Sequence, residues 1–213
     1  MIKRIIFDID NTLIDWKDEY NNVVGDVLKK LDIQCSNNTV KMIKECFNTY
    51  ELENYTFNKE KMSDFINECV GIDLPKKLVY DVLEGWGNCA PSDLNLKLAN
   101  ILDYLSEKYE LVCLTDWFEE PQINRLKIAG IYKYFKCVYG AENTRRKPFK
   151  EAFKRAMDKF LPEECVMIGD DLERDIKGAI NSNVKAIWYN RTKNITDLNC
   201  IVIKNLNELK NIL

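Results

Sequence analysis

Near the N-terminus a short apolar run, Ile5-Ile6-Phe7, stops abruptly at Asp8. A run of that length, rich in β-branched and aromatic residues, predicts a buried strand. From residue 94 onward, strand-like and helix-like segments alternate. Leu96, Leu98, Ile101, Leu102 and Leu105 fall at helical spacing within 94–108, and residues 110–115 form a short apolar run. Residues 121–128 predict a helix stopped at Gly130, residues 136–139 a strand, and residues 149–160 a helix ending before Pro162. Residues 165–168 and 184–188 read as strands around a helix over 173–180, and 200–203 and 206–213 close the series. Strands alternating with crossover helices predict an α/β fold: a Rossmann-like parallel sheet with helices on both faces. Such sheets bind ligands at the carboxyl ends of their strands.

Residues 17 to about 90 carry a different pattern. Val23, Val24, Val27, Leu28 and Leu31 recur at helical spacing, as do Val40, Ile43 and Phe47. The same holds for Phe65, Ile66 and Cys69, and for Leu78, Val79, Val82 and Leu83, with Gly71 and Pro75 between those two groups. Four helices are expected here and no strand. The division that follows is an α/β core over 1–15 and 91–213, with a helical insertion over 16–90.

Composition narrows the chemistry. At 213 residues, 46% hydrophobic and 31% charged, the chain is long enough for a sizeable core. A net charge of -3 offers no basic field for a nucleic-acid polymer or an anionic membrane. No apolar run approaches the ~18 residues of a membrane span, and the run after Lys3 and Arg4 is too short for a signal peptide. The eight cysteines are spread evenly, with no C-x-x-C, and several sit in apolar runs. Buried, reduced thiols in a cytoplasmic protein are the expectation. Histidine is absent, which removes Ser-His-Asp and Cys-His nucleophiles and His-ligated metals.

What remains is concentrated at the predicted strand ends. Asp8 and Asp10 leave the first strand one residue apart, so their side chains are expected on one face. Two carboxylates ~4 Å apart repel by roughly 4 kcal/mol at an effective dielectric of 20, so a positive partner is implied. Thr12 follows them; Thr115 and Asp116 end the second strand; Arg145-Arg146-Lys147-Pro148 follows the third; Gly169, Asp170, Asp171 and Asp175 follow the fourth.

These residues, in this order, resemble the haloacid dehalogenase-like hydrolase superfamily. Its D-x-D-x-T motif stands as Asp8-Ile9-Asp10-Asn11-Thr12, its strand-ending hydroxyl as Thr115, its lysine as Lys147 ahead of Pro148, and its G-D-x-x-x-x-D motif as Gly169 to Asp175. The long separation of Asp8 from Thr115, against the short one from Thr115 to Lys147, places the insertion where this family carries a helical cap. The resemblance implies that Asp8 is the nucleophile of a phosphatase acting through an aspartyl-phosphate. It implies that Asp10 is the acid and base, and that Thr115 and Lys147 hold the phosphoryl group. Mg²⁺ is the implied cofactor, on Asp8, the backbone carbonyl of Asp10, Asp170 and Asp175, the last as an occasional or supporting ligand. A family dehalogenase lacks an acid at the position of Asp10, because halide leaves without a proton.

The substrate is expected to be a small phosphorylated metabolite, taken by a monomer or homodimer. Trp16, Asp116 and Trp117 are candidate substrate contacts, and Trp86, Tyr50 and Tyr55 lie where specificity residues are often found. These aromatics suit a stacked base, and Trp188-Tyr189-Asn190-Arg191 resembles pyrimidine nucleotidases of the family, so a nucleoside monophosphate is one candidate. Phosphoglycolate and sugar phosphates stay open. The plainer readings are that the aromatics pack cap against core, that Asp171 caps the following helix, and that Arg145 and Arg146 lie in a solvated loop. A different class of function, a phosphate-binding or signalling protein without turnover, is the alternative.

Overall fold

The computed structural model describes residues 1–15, 18–91, 95–191 and 200–213. Arg4–Phe7 forms β1, with all four residues buried. Four helices follow it in sequence: α1 (Val23–Lys30), α2 (Asn37–Glu53), α3 (Lys59–Val70) and α4 (Lys77–Gly87). Next come α5 (Leu96–Ser106), β2 (Glu110–Leu114), α6 (Glu119–Ile128), β3 (Val138–Tyr139) and α7 (Lys150–Met157). β4 (Cys165–Gly169), α8 (Gly178–Asn181), β5 (Lys185–Tyr189) and β6 (Ile201–Ile203) complete the order.

Every strand pairing is parallel, and the sheet order is β3-β2-β1-β4-β5-β6. β1 is therefore central, and its register sets the site. Phe7 lies beside Cys113 of β2 and Ile168 of β4, so Asp8, Thr115 and Asp170 all emerge within a residue or two of one level. Alternation along the strands divides the core. Ile5, Phe7, Leu111, Cys113, Val166 and Ile168 face α5 and α6, through Ile101, Leu102, Leu105 and Leu126. Ile6, Val112, Leu114 and Met167 face Ala152, Phe153 and Ala156 of α7 and Ala179 of α8.

Helices α1–α4 bury a separate apolar cluster, including Val24, Ile43, Phe47, Met62, Val82 and Leu83, which extends to Trp117, Phe118 and Ala141 beside β2 and β3. Local signals fix their ends. Ser36 accepts the Thr39 N–H at 3.1 Å to cap α2, Asn58 accepts the Lys61 N–H at 2.9 Å to cap α3, and Gly71 ends α3 at φ 70°.

Three expectations need correction. The helix over 173–180 is not continuous. A wide π-type turn spans Leu172–Lys177, in which the Ile176 N–H reaches the Asp171 carbonyl, and α8 follows. The strand over 136–139 shrinks to two residues, because Lys136 pairs only through its N–H to Leu111. The cysteines are not all thiols: Cys46 of α2 and Cys69 of α3 are joined in a disulfide, their Cα atoms 6.3 Å apart. The two facing helices bring those side chains within bonding distance, which sequence spacing alone does not reveal. Cys35, Cys113, Cys137, Cys165 and Cys200 keep their thiols.

Candidate active site

The chain leaving β1 turns back on itself at once. The Leu13 and Ile14 N–H groups both donate to the Ile9 carbonyl at 2.9 Å, and Asn11 takes a left-handed conformation, φ 60°. Asparagine tolerates that region better than most side chains, which suits it to the middle of D-x-D-N-T. Asp8 and Asp10, on either side of Ile9, each have their own partner.

Asp8 is buried and accepts a hydrogen bond from Lys147 Nζ at 2.7 Å. The same ammonium donates to Asp175 Oδ1 at 2.5 Å and lies 4.0 Å from Asp116 Oδ2. Burial pushes the Asp8 carboxyl well up, and the Lys147 charge offsets part of that. Burial also works against the Lys147 charge, but Asp116, Asp175 and Asp8 outweigh it and hold the lysine protonated. Asp170 is likewise pushed up by burial; its Oδ1 accepts from Thr12 Oγ1 at 3.3 Å.

Asp175 is 1% exposed, and both of its oxygens are engaged, Oδ2 accepting the Asp171 N–H at 3.0 Å. Gly169 explains the glycine of its motif: a Cβ there would lie 2.2 Å from Asp175 Oδ2. Asp171 does cap the following turn, accepting the Glu173 and Arg174 N–H groups at 2.9 Å.

One carboxylate oxygen each from Asp8, Asp170 and Asp175 lie within 4.8 Å of one another. Two unit charges at that separation repel by about 3.5 kcal/mol at an effective dielectric of 20. A single lysine cannot compensate all three, and the Arg174 charge is engaged by Asp116 and Asp171. An all-oxygen, acidic donor set of this kind fits a hard divalent cation. The Asp10 carboxylate stands apart from this group, held by Gln122 Nε2 at 2.6 Å and by Arg125 Nη1.

Thr115 is 1% exposed, and its Oγ1 accepts from Gln122 Nε2 at 2.9 Å, which leaves its own O–H to donate. Asp116 is half enclosed: Oδ1 accepts the Lys147 N–H at 2.9 Å and Oδ2 pairs with Arg174 at 3.3 Å. It therefore anchors the lysine loop. Trp117 is 6% exposed and packs against Trp86, ring centroids 5.3 Å apart. Trp16 lies outside the described residues.

A cavity of about 200 Å³ opens between the helical layer and the strand ends. Asp10, Asn48, Glu51, Trp86, Asp116, Trp117, Arg146 and Arg174 line it. Burial raises the Glu51 carboxyl to about 7. Arg146 is not in a solvated loop: its guanidinium donates to the Glu51 carbonyl, and its N–H donates to the Tyr55 carbonyl at 2.8 Å.

Sequence reasoning missed Asn48, Glu51, Gln122 and Arg125. The last two had a readable signal. Pro121, Gln122, Arg125 and Leu126 form the buried stripe of α6, and a buried stripe containing Gln and Arg calls for a polar partner.

The profile of the haloacid dehalogenase-like hydrolases matches residues 5–189. The chain belongs to that family. It is 28% identical over 207 residues to N-acylneuraminate-9-phosphatase of Rattus norvegicus, an alignment covering 90% of this chain and 84% of that protein. It is 30% identical over 206 residues to pyrimidine 5'-nucleotidase PynA of Streptococcus pneumoniae, covering 88% and 84% respectively. In fold it is similar to the HAD-hydrolase YfnB of Bacillus subtilis, solved bound to magnesium, with TM-score 0.68 and 21% identity over 99% of this chain and 98% of that one. Among the described residues no helix is long and apolar enough to cross a membrane.

Proposed function

We propose that this hydrolase is a Mg²⁺-dependent phosphatase that cleaves a small phosphomonoester through an aspartyl-phosphate on Asp8. The observation that carries the reading is the convergence of Asp8, Asp170 and Asp175 on one another beside the ends of parallel strands, with the buried Lys147 bonded to Asp8 and Asp175. Both relatives with the widest sequence overlap described above are named for phosphate release, which supports it.

Phosphate monoesters hydrolyse extremely slowly, and a carboxylate nucleophile divides the task into two displacements. An Asp8 oxygen bonds to phosphorus as the bond to the alcohol breaks. Asp10 gives a proton to the departing oxygen and later takes one from the water that releases phosphate. Thr115 donates its O–H to a phosphoryl oxygen, and protonated Lys147 faces the dianion beside Asp8. Asp8, the Asp10 carbonyl and Asp170 would hold the metal, with Asp175 fixing Lys147 behind them. Bound there, Mg²⁺ would neutralise charge on the phosphoryl oxygens. The acid at Asp10 also argues against a dehalogenase.

Six of the eight side chains around the cavity are polar or charged, which favours a hydroxylated leaving group over an apolar one. At about 200 Å³ the space is smaller than the ~300–1,000 Å³ of most ligand sites, so the leaving group is compact. A sugar phosphate or nucleoside monophosphate fits the polarity. Trp86 and Trp117 pack on each other, so a base would lie on one ring and not between two. The cytoplasm is the proposed compartment, where the thiol pool would open the Cys46–Cys69 bond.

The test is phosphate release, with and without Mg²⁺, across nucleoside monophosphates, sugar phosphates, phosphoglycolate and an aryl phosphate. Metal-dependent release is expected, lost by about 10⁴-fold or more in Asp8→Asn with the fold intact. Full activity in that variant would refute the mechanism. A folded parent enzyme inactive on every ester would favour a binding protein.

A further inference from the structure

Helix α6 carries a buried polar face that the sheet does not require. Gln122 and Arg125 are both 0% exposed. Enclosing a guanidinium is costly unless its partners compensate it, and these partners form a pattern. Arg125 Nη1 donates to Asp10 Oδ1 and, at 2.7 Å, to Gln122 Oε1. Gln122 Nε2 in turn donates to Asp10 Oδ2 at 2.6 Å and to Thr115 Oγ1 at 2.9 Å. The amide nitrogen thus meets two acceptors and the amide oxygen meets the guanidinium, which settles the orientation of Gln122.

The same guanidinium reaches away from the strand ends. Arg125 Nε donates to the Cys89 carbonyl at 3.3 Å, and its carbon lies 5.2 Å from the centre of the Tyr20 ring. The Tyr20 hydroxyl donates to that same Cys89 carbonyl, and Trp86 Nε1 donates to the Tyr20 carbonyl at 2.9 Å. Tyr20 precedes α1 and Cys89 follows α4. They lie on the two segments through which α1–α4 join the sheet, and Arg125 touches both of them together with Asp10.

We propose that Arg125 is a positioning residue that orients the Asp10 carboxyl for proton transfer to the leaving oxygen and ties it to both connections between the helical layer and the sheet. The inference rests on the phosphatase reading, in which Asp10 is the acid. A full positive charge holds Oδ1, whereas the neutral Gln122 amide meets Oδ2. With Oδ1 engaged by the guanidinium, Oδ2 is the oxygen left to deliver the proton in this reading. As the bond from phosphorus to the alcohol oxygen breaks and the bond to Asp8 forms, that proton passes to the alcohol oxygen. The electron pair it leaves makes Asp10 a carboxylate, whose charge Arg125 then balances.

This role leaves a signature in leaving-group dependence. Dinitrophenyl phosphate needs no proton to depart, whereas phenyl phosphate does. kcat/KM reports the steps up to that departure, and the ratio between two esters in one preparation is independent of the folded fraction. Arg125→Gln is expected to lower kcat/KM for phenyl phosphate by roughly 10²-fold while changing the dinitrophenyl ester only a few-fold, and Arg125→Lys to restore part of the loss. Tyr20→Phe keeps the ring and removes the Cys89 hydrogen bond, and should shift the same ratio in the same direction by less. It serves as the measured variant should Arg125→Gln not fold. Equal losses on both esters, or no loss on either, would overturn the inference. A parent enzyme that cleaves neither ester, nor any of the metabolite panel, would instead overturn the phosphatase reading.

Discussion

Lys147→Met removes the charge at the centre of the site while keeping the length of the side chain. Lys147 and Asp175 are almost fully enclosed and Asp8 nearly so, with separations of 2.5 Å to Asp175 and 2.7 Å to Asp8. At an effective dielectric of 20 those pairs attract by about 7 and about 6 kcal/mol. Enclosing each ion costs several kcal/mol, so most of that attraction is offset in the intact site. Removing the lysine does not return the offset, because two buried carboxylates stay behind uncompensated. The expected loss is about 3–5 kcal/mol, measured by urea unfolding in a chelator, with tryptophan fluorescence and circular dichroism required to coincide. Adding Asp175→Asn to Lys147→Met should recover part of the loss, since one orphaned charge disappears. Saturating Mg²⁺ should narrow the gap between variant and parent, because a cation binding the folded chain supplies the missing charge. A loss below about 1 kcal/mol in chelator, or strict additivity in the double variant, would refute this account of the site.

Two further predictions concern neighbouring groups. Burial holds Glu51 up at about 7 against an ordinary 4.5, so the folded chain keeps a proton that the unfolded chain releases. The stability this contributes is full below pH 4.5 and is lost as pH rises to about 7, by no more than about 3 kcal/mol given partial solvent access. Glu51→Gln should flatten that decline in a pH series of unfolding curves, and parallel curves for variant and parent would count against it. Gly169→Ala places a methyl on Asp175 and should cost about 2–4 kcal/mol together with weaker Mg²⁺ binding by calorimetry; an unchanged melting temperature would show that Asp175 yields freely.

Much of the architecture was legible because apolar periodicity records which faces are buried. The run Ile5-Ile6-Phe7 and the four apolar stripes of α1–α4 appear where the pattern placed them, as does the alternation after residue 94 apart from the shortened β3 and the broken helix after β4. The D-x-D, Thr115, Lys147 and G-D-x-x-x-x-D residues meet at one sheet edge because strand register brings them there. Other features depended on side-chain contacts that periodicity does not record. Asp8 takes Lys147 as its partner and Asp10 takes Arg125, neither of which their spacing reveals. The Cys46–Cys69 bond depends on how α2 lies against α3, and the wide turn at Leu172–Lys177 on how Asp175 meets the Asp171 N–H. The buried stripe of α6 marks Gln122 and Arg125 as needing a polar partner, but that this partner is Asp10 depends on residues far along the chain.

The cavity walls have separate origins in the chain. Asn48 and Glu51 come from α2 and Trp86 from α4, whereas Asp116 and Trp117 follow β2 and Arg174 follows β4. A substitution on the outer helices can therefore change which alcohol is accommodated without disturbing the aspartates at the strand ends. Selectivity and the reaction at phosphorus are thereby carried by different segments, and two proteins each about 30% identical or less to this chain are named for different phosphate esters. For this chain, α2 is the place to redirect the enzyme toward a new ester.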